Sequence, residues 1–185
     1  AKLGVPVAHV EAGLRSFDGR MPEEINRRLT DHVSRLLFCP TPRAVSNLRR
    51  EGIRRGVHRT GDVTVDAVRA HLPRAMRGPR LPGLEPGGYY AATLHRQENV
   101  DDDARLASLV DALGSLPRPV VFAVHPRTRR RLAALGLRAR ANVRLVPPQP
   151  YLAMLRLVKE ARAVLTDSGG LQKEAFILGT PCVTL

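Results

Sequence analysis

The sequence has 185 residues, 43% of them hydrophobic, which is enough for packed cores in one large domain or two small ones. It shows no basic-then-apolar signal segment and no apolar run near the ~18 residues of a membrane span. We therefore predict a cytoplasmic location and no membrane partner. Cys39 and Cys182 lie far apart without metal-ligand spacing, so we predict neither a disulfide nor a metal site.

The charge balance is strongly basic, because 30 Lys and Arg face 17 Asp and Glu, which gives a formal charge of +13. Such an excess can indicate nucleic-acid binding. The arginines are scattered along the chain, however, and three Tyr, four Phe and no Trp offer few rings on which bases could stack. We predict no nucleic-acid partner. A diffuse positive field would also attract an anionic small substrate.

Short apolar runs alternate with segments of helical periodicity along the chain. The predicted strands are residues 5–10, 36–39, 57–60, 89–94, 120–124, 143–146, 163–166 and 182–185. The predicted helices are residues 23–35, 43–51, 64–74, 102–116, 127–134, 151–160 and 170–178. In the first of these helices, Ile25, Leu29 and Val33 form an apolar stripe with Leu36. The alternation predicts an α/β fold with parallel sheets and helices on both faces.

One segment rich in proline and glycine, "RGPRLPGLEPGG", interrupts this alternation. It predicts a first lobe at residues 1–76, a linker at 77–86 and a second lobe at 87–185. Only three strands precede the linker, fewer than a doubly wound lobe usually has, so we expect the first lobe to be incomplete. The sequence also starts without Met and stops within an apolar run, which favours an internal fragment with a truncated second lobe.

The segment "VLTDSGGLQKE" predicts a strand, a turn at Ser168, Gly169 and Gly170, and then a helix. Free N–H groups and the positive dipole at a helix N-terminus suit a phosphate group. Glu174 follows Ser168 by six residues, roughly 9 Å along a helix, which suits a ribose hydroxyl pair. A serine cap with glycines for tight packing explains the spacing equally well.

Acidic residues occur in two further motifs. Glu11, in "HVEAGLRS", directly follows an apolar run that predicts a buried parallel strand, and open α/β sheets bind ligands just past such strand ends. Glu11 is therefore either a helix-start residue or a working carboxylate. In "MPEEINRR", Glu23 and Glu24 follow Pro22, and ordinary helix-start chemistry explains both without any function.

Two histidines are predicted at strand ends. His95, followed by Arg96, lies in "ATLHRQEN", and His125 lies in "FAVHPRTRR". A single histidine at a strand end is more often structural, but two on neighbouring strands of one lobe favour a site where imidazole titrates near neutral pH.

Six motifs, "HVEAGLRS", "MPEEINR", "TGDVTVDA", "TLHRQEN", "HPRT" and "TDSGGLQKEAFILGTPCVTL", occur in the order and at the spacing of a known family. In these motifs the chain resembles the non-hydrolysing UDP-N-acetylglucosamine 2-epimerases. The resemblance implies two Rossmann-like lobes of GT-B type with the nucleotide sugar between them. It also implies reversible conversion of UDP-N-acetylglucosamine to UDP-N-acetylmannosamine for surface polysaccharides, without metal or NAD cofactor. Expected partners are UDP-N-acetylglucosamine and UDP, and a homodimer is one expected assembly.

The resemblance also assigns roles to residues. It implies that Glu11 and Glu23 handle protons at the sugar and that His95 faces the sugar-diphosphate. The residues that it assigns to UDP are Gln149, Ser168, Gly169, Gly170 and Glu174. A second UDP-N-acetylglucosamine, bound as an allosteric activator, corresponds to Glu23, Arg96 and His125. Elimination and return of UDP through a 2-acetamidoglucal need proton-handling groups on two faces of the sugar. Glu11 would be one of these groups.

Several family features are altered or missing. Met154 stands where an aromatic residue usually packs on uracil, and Lys173 replaces an acidic neighbour of Glu174. A Gly/Arg substrate loop, a catalytic aspartate before "HVEAGLR" and an arginine segment after "GTPCVTL" have no counterparts. Two alternatives stay open: a hydrolysing 2-epimerase, which differs in water access to the glucal, and a non-catalytic chain that only binds UDP.

Overall fold

The computed structural model describes residues 1–185, with eight strands and eight helices. The strands are β1 (Ala8–Val10), β2 (Leu36–Cys39), β3 (Val57–Arg59), β4 (Tyr90–Thr93), β5 (Val120–Ala123), β6 (Val143–Val146), β7 (Ala163–Thr166) and β8 (Cys182–Thr184). The helices are α1 (Pro22–Val33), α2 (Pro42–Arg50), α3 (Val63–Arg77), α4 (Gln97–Val100), α5 (Asp103–Gly114), α6 (Pro126–Ala134), α7 (Tyr151–Glu160) and α8 (Gly169–Leu178). All strand pairs are parallel. The predicted α/β class is confirmed.

The predicted strands and helices are all present, with small differences at their ends. The largest shortening is at the first strand, which was predicted from residue 5 and begins at Ala8. Helix α3 is longer than predicted, because it begins at Val63 and continues beyond Arg74 to Arg77. The short helix α4 was not predicted, since four residues are too few to show a helical period. No helix combines the length and apolar character needed to cross a bilayer.

The chain divides into two compact units, Ala1–Asp66 and Ala67–Leu185. The second unit is built on a five-stranded sheet in the order β6-β5-β4-β7-β8. Alternate strand residues supply the two cores: Val121 and Ala123 pack with α3, α7 and α8, whereas Val120 and Phe122 pack with α5 and α6. Helices therefore cover both faces, as predicted for a doubly wound sheet. The strand order reverses between β4 and β7, which is where such sheets form a ligand crevice.

The first unit has a three-stranded sheet in the order β1-β2-β3. Its core is small and consists of Leu37 and Cys39 of β2 packed against Ala44 and Leu48 of α2, with Ala12 beside them. Helix α2 begins after Thr41, whose side chain accepts a hydrogen bond from the Ala44 N–H. A sheet of three strands with one small core agrees with the expectation of an incomplete first lobe.

The apolar stripe of α1 is exposed. A stripe of this kind usually faces a core, but Ile25, Leu29 and Val33 are 49–62% exposed and Leu36 is 40% exposed. The side chains that α1 buries are instead Glu24 and Asp31. Polar contacts explain this orientation of α1, because both carboxylates accept hydrogen bonds from the segment that follows β1.

The predicted linker at 77–86 lies within the second unit. Leu81 and Leu84 pack on its core, and Arg80 pairs with Glu160 of α7. Helix α3 spans the division after Asp66, and its residues Val68 and Ala75 belong to the second unit's core. The lobe boundaries at 76 and 87 stay a prediction.

Candidate functional site

The switch point of the second unit carries the predicted histidine and serine motifs. β4 and β7 are neighbours, with Thr93 opposite Thr166, and the hydroxyls of these two threonines lie 2.6 Å apart. His95 follows β4 by two residues, and Ser168 follows β7 by two residues. Because both strands are parallel, their carboxyl ends meet at one edge of the sheet, so the two motifs come together there.

Asp167 organises the loop after β4. It is 1% exposed and accepts hydrogen bonds from the backbone N–H groups of His95 and Arg96 and from the side-chain amide of Asn99. The Nδ1 atom of His95 lies 2.9 Å from a carboxylate oxygen of Asp167. An ionised carboxylate can only accept, so Nδ1 carries a proton and Nε2 is the nitrogen left for a ligand. The His95 side chain is 45% exposed, in keeping with that role.

Ser168, Gly169 and Gly170 form the N-terminus of α8. The Ser168 hydroxyl accepts from the Leu171 N–H, and the Ser168 N–H donates to the Thr166 hydroxyl. The N–H groups of the first helical turn have no acceptor inside the helix, which leaves those of both glycines for other partners. A Cβ added at Gly169 would meet nothing within 4 Å, and at Gly170 only the Ser168 hydroxyl at 3.9 Å. Packing therefore does not require glycine at either position.

A cavity of about 380 Å³ opens beside these elements. Six of the predicted site residues line it: His95, His125, Gln149, Ser168, Gly170 and Glu174. Thr93, Met154 and Leu171 supply much of the remaining wall. The cavity is thus apolar in part, with a few polar groups from different strand ends, as small-molecule sites usually are.

Glu174 is the acidic group of this cavity. It follows Gly170 by four residues, so both lie on the same face of α8. Burial raises the pKa of the Glu174 carboxyl above its ordinary value. Burial also raises the pKa of Tyr151, and the nearby charge of Glu174 adds to that effect. A partly desolvated carboxylate is better suited to accept a hydrogen bond from a neutral hydroxyl than to lie beside an anionic phosphate.

The other predicted residues of the second unit differ in whether they reach the cavity. The Gln149 amide donates to the Pro147 carbonyl, and the His125 Nδ1 accepts from the Arg127 N–H at the start of α6. The guanidinium of Arg96 donates to Glu98, and Arg96 is not among the cavity-lining residues. The structure therefore brings His125 and Gln149 to the cavity with His95, but not Arg96.

The Glu11 segment occupies the equivalent place after β1 in the first unit. Glu11 has a φ of 67°, a left-handed value that is uncommon for a residue with a side chain, and it is partly exposed. Gly13 also has a positive φ of 77°, and a Cβ there would lie 2.3 Å from the Ala44 carbonyl oxygen. Glycine at position 13 is therefore required by both backbone conformation and close packing on α2.

Glu23 and Glu24 are adjacent but differ in environment. Glu24 is 3% exposed and accepts hydrogen bonds from the Ser16 N–H and hydroxyl and from the Phe17 N–H. Burial alone would raise the pKa of Glu24, but these hydrogen bonds outweigh it, so the pKa is lowered. Glu23 is exposed in the first turn of α1. The pair thus separates into one structural carboxylate and one accessible carboxylate.

Sequence reasoning missed two buried aspartates, Asp167 and Asp31. Asp167 precedes a helix, where aspartate is common for capping reasons alone, and Asp31 lies in the last turn of α1 with no local pattern to mark it, so neither carried a distinct signal. The histidines gave one hint, because each needs a hydrogen-bond partner to fix which ring nitrogen carries the proton. No group of three or more His, Cys, Asp or Glu side chains is arranged to hold a metal ion.

Comparison with protein families gives a match over the full chain. A family model described as UDP-N-acetylglucosamine 2-epimerase covers residues 1–185. Among curated proteins, a UDP-2,3-diacetamido-2,3-dideoxy-D-glucuronate 2-epimerase of Pseudomonas aeruginosa is 49% identical over 100% of this chain and 53% of its own length. The chain spans about half the length of the curated relatives that it matches.

Solved structures give the same match. The UDP-GlcNAc 2-epimerase of Methanocaldococcus jannaschii, in complex with UDP-GlcNAc and UDP, superposes with a TM-score of 0.90 at 43% identity, over 100% of this chain and 54% of that one. The enzyme of Neisseria meningitidis, bound to UDP-GlcNAc, gives a TM-score of 0.87 at 32% identity, with 100% and 54% covered. These likenesses confirm the predicted fold class, GT-B-type Rossmann-like lobes of which the first is incomplete.

Proposed function

Because this chain belongs to the UDP-N-acetylglucosamine 2-epimerase family, we propose that it serves the reversible C2 epimerisation of UDP-N-acetylglucosamine to UDP-N-acetylmannosamine. One observation carries the proposal. The cavity at the switch point of the second unit joins an accessible imidazole, a glycine-lined helix N-terminus and a partly buried carboxylate. These are the groups that a sugar linked to a nucleoside diphosphate would need.

The diphosphate of UDP is assigned to the N-terminus of α8. Its oxygens accept hydrogen bonds from the N–H groups of Gly169 and Gly170 and from the Ser168 hydroxyl, with the helix dipole favouring negative charge. The open space above both glycines supports this assignment over a cap that uses glycine for packing. The Glu174 carboxylate accepts from the ribose hydroxyls one helical turn away. Gln149 and Met154 form the wall assigned to uracil.

The reaction proposed is an elimination followed by an addition. A base removes the C2 proton, the C2–H electron pair forms the C1=C2 bond of a 2-acetamidoglucal, and the C1–O pair leaves with UDP. UDP then returns to C1 while a proton is delivered to the opposite face of C2. His95, with Nδ1 held by Asp167, presents Nε2 to the leaving diphosphate and offsets its charge when doubly protonated. Glu11 and Glu23 are assigned to the proton transfers at C2, which need two groups.

The identity of the sugar has a second candidate. The Pseudomonas aeruginosa relative, at 49% identity, is named for a UDP-linked diacetamido-glucuronate, not for UDP-N-acetylglucosamine. Both sugars carry a 2-acetamido group and a UDP leaving group, so the same chemistry applies. The other assignment, a regulatory UDP-N-acetylglucosamine at Glu23, Arg96 and His125, stays a prediction, because His125 lines the same cavity as the residues assigned to UDP and Arg96 does not line it.

The experiment that tests the function is a proton NMR time course with each UDP-sugar in D2O. We expect loss of the sugar H2 signal and appearance of the UDP-linked manno isomer, and the faster sugar identifies the substrate. Free N-acetylmannosamine would replace the proposal by the hydrolysing reaction. Uridine line broadening without turnover would replace it by UDP binding alone.

Two variants test the binding site separately. Ser168→Ala and Glu174→Gln each lose one polar contact to UDP, so we expect UDP affinity to fall about tenfold in each, the value of one hydrogen bond of about 1.4 kcal/mol. The matched control is Ser108→Ala, at an exposed position of α5. Unchanged affinity in both site variants would remove the assignment of UDP to α8.

A further inference from the structure

The left-handed backbone conformation at Glu11 has to be stabilised by contacts with other parts of the protein. A left-handed φ at a residue with a side chain persists only where the surrounding structure fixes both flanks. The segment between β1 and α1 has two such residues, Glu11 and Phe17, and Gly13 between them also has a positive φ. A change in either flank would let Glu11 relax to an ordinary conformation and would turn its carboxylate away from its present direction.

Both flanks of Glu11 are tied to one carboxylate, that of Asp31. One oxygen lies 2.6 Å from the Nδ1 of His9, two residues before Glu11. The other accepts from the Gly13 N–H at 3.1 Å, two residues after Glu11, and lies 2.7 Å from a guanidinium nitrogen of Arg15. The Asp31 side chain is fully buried, so these protein donors take the place of water.

The remaining contacts of the segment each hold only the residues after Glu11, and the Ala12 N–H among them donates to the Phe38 carbonyl. Arg15 also forms a two-bond pair with Glu51, and the hydrogen bond to Glu51 raises the pKa of the Arg15 guanidinium. The Asn47 amide donates to the Gly13 carbonyl. Asp31 is thus the acceptor that bridges residues before and after Glu11, whereas Glu51 and Asn47 reach only the later side.

From this geometry we propose that Asp31 is a positioning residue, which acts through His9 and Gly13 to fix the direction of the Glu11 carboxylate. The inference rests on the proposed function, because it assumes that Glu11 exchanges the C2 proton. Asp31 does not itself contact the sugar. Its removal should therefore lower turnover while leaving UDP affinity intact, since the groups assigned to UDP lie in α8 and its N-cap and in α7 and the segment before it.

The experiment compares three variants in the complete polypeptide that carries this chain. Asp31→Asn loses the acceptor for one donor, and we expect kcat to fall about 100-fold with KM nearly unchanged, as for a misplacement of about 1 Å. His9→Asn keeps the buried carboxylate of Asp31 and its other two partners, so we expect this variant to be less destabilised than Asp31→Asn. It should lower kcat about tenfold. Glu51→Gln is the control, expected to lower thermal stability but to keep kcat within about twofold.

A double-mutant cycle separates positioning from general damage. In a Glu11→Gln background, Asp31→Asn should lower the residual rate by no more than about twofold, because no carboxylate remains to be aimed. A full 100-fold loss in that background would overturn the inference, as would unchanged kcat in both Asp31→Asn and His9→Asn. Equal falls of kcat in Glu51→Gln and His9→Asn would also assign the effect to stability.

The failure of the proposed function gives a different result. A normal rate in Glu11→Gln would remove Glu11 from the reaction whatever Asp31 does. A polypeptide that turns over neither UDP-sugar would overturn the function and the inference together. A slow Glu11→Gln with a normal Asp31→Asn would keep the function and reject only the positioning role.

Discussion

Strand β1 and the segment after β4 use the same pair of residue types, a histidine and a buried aspartate, in opposite ways. In the first unit, His9 contacts Asp31 and its side chain is 19% exposed, so the histidine is part of the internal support. In the second unit, His95 contacts Asp167 and its side chain is 45% exposed at a cavity. A histidine at a strand end beside a buried aspartate is therefore not itself a functional sign, and accessibility separates the two cases.

The glycines of the two regions differ in the same sense. Gly13 is required by the protein's own packing, because a Cβ would collide with the Ala44 carbonyl. Gly169 and Gly170 have open space where a Cβ would be. Glycine that packing does not demand is better explained by a ligand that must approach the backbone closely. The open backbone at Gly169 and Gly170 thus supports the proposed diphosphate contact at α8, whereas Gly13 is explained by packing alone.

The largest expected difference between the two regions is the difference in stability between the variants Gly13→Ala and Gly169→Ala. Gly13→Ala combines a collision with a left-handed φ, so the free energy of unfolding should fall by roughly 2–5 kcal/mol. Gly169→Ala meets no atom and replaces glycine in a helix, so stability should stay the same or rise by up to about 1 kcal/mol. Chemical denaturation measures both. Similar losses in the two variants would contradict the distinction.

A second test concerns the partner of the accessible histidine. Asp167→Asn presents an amide to Nδ1 of His95 and destabilises the doubly protonated imidazole, so we expect turnover to fall about 100-fold, or about 2.7 kcal/mol. UDP affinity should change by less than about threefold, because Ser168 and the glycines are untouched. Isothermal titration with UDP provides that control. A large loss of UDP affinity would show that Asp167 supports the binding site as a whole.

The smallest expected effect distinguishes Glu24 from Glu23. Glu24→Gln should lower the free energy of unfolding by about 1.5–3 kcal/mol at neutral pH, because three donors lose a charged acceptor. Its folded pKa is lowered, so this stabilisation is complete above the ordinary value of 4.5 and is lost as pH falls through the folded value.

The matched control for that test is the exposed neighbour. Glu23→Gln should change stability by less than about 0.5 kcal/mol at any pH, since its side chain is in water. Urea unfolding should show the Glu24 difference in full at pH 7 and a progressively smaller difference as the pH is lowered below 4.5. A difference that does not shrink with falling pH would assign the effect to packing instead of charge.

Local patterns predicted the strands and helices well, because alternation and caps are encoded by neighbours in sequence. The exposed stripe of α1 was not predictable from Ile25, Leu29 and Val33, since periodicity shows which residues share a face but not what lies opposite. The same limit applies to Asp31 and Asp167. Their importance comes from donors that the sheet order brings beside them, 18 and 72 residues away for Gly13 and His95.

The candidate site was predicted better in the second unit than in the first. His95, Ser168 and Glu174 follow or flank parallel strands that adjoin at the switch point, so the general rule for α/β sheets was enough. Glu11 and Glu23 depend on a left-handed turn and on which of two adjacent carboxylates is buried. Neither follows from spacing, because Glu23 and Glu24 are equally good first-turn residues.

The exposed apolar stripe of α1 has a consequence for the behaviour of a 185-residue polypeptide in solution. Its net charge of +13 repels other copies over the Debye length, about 10 Å at 0.1 M salt and 3 Å at 1 M. At low ionic strength this repulsion keeps Ile25, Leu29 and Val33 of different molecules apart. Added salt shortens the repulsion and strengthens apolar attraction, so the colloidal stability of such a preparation declines as the ionic strength of its buffer increases.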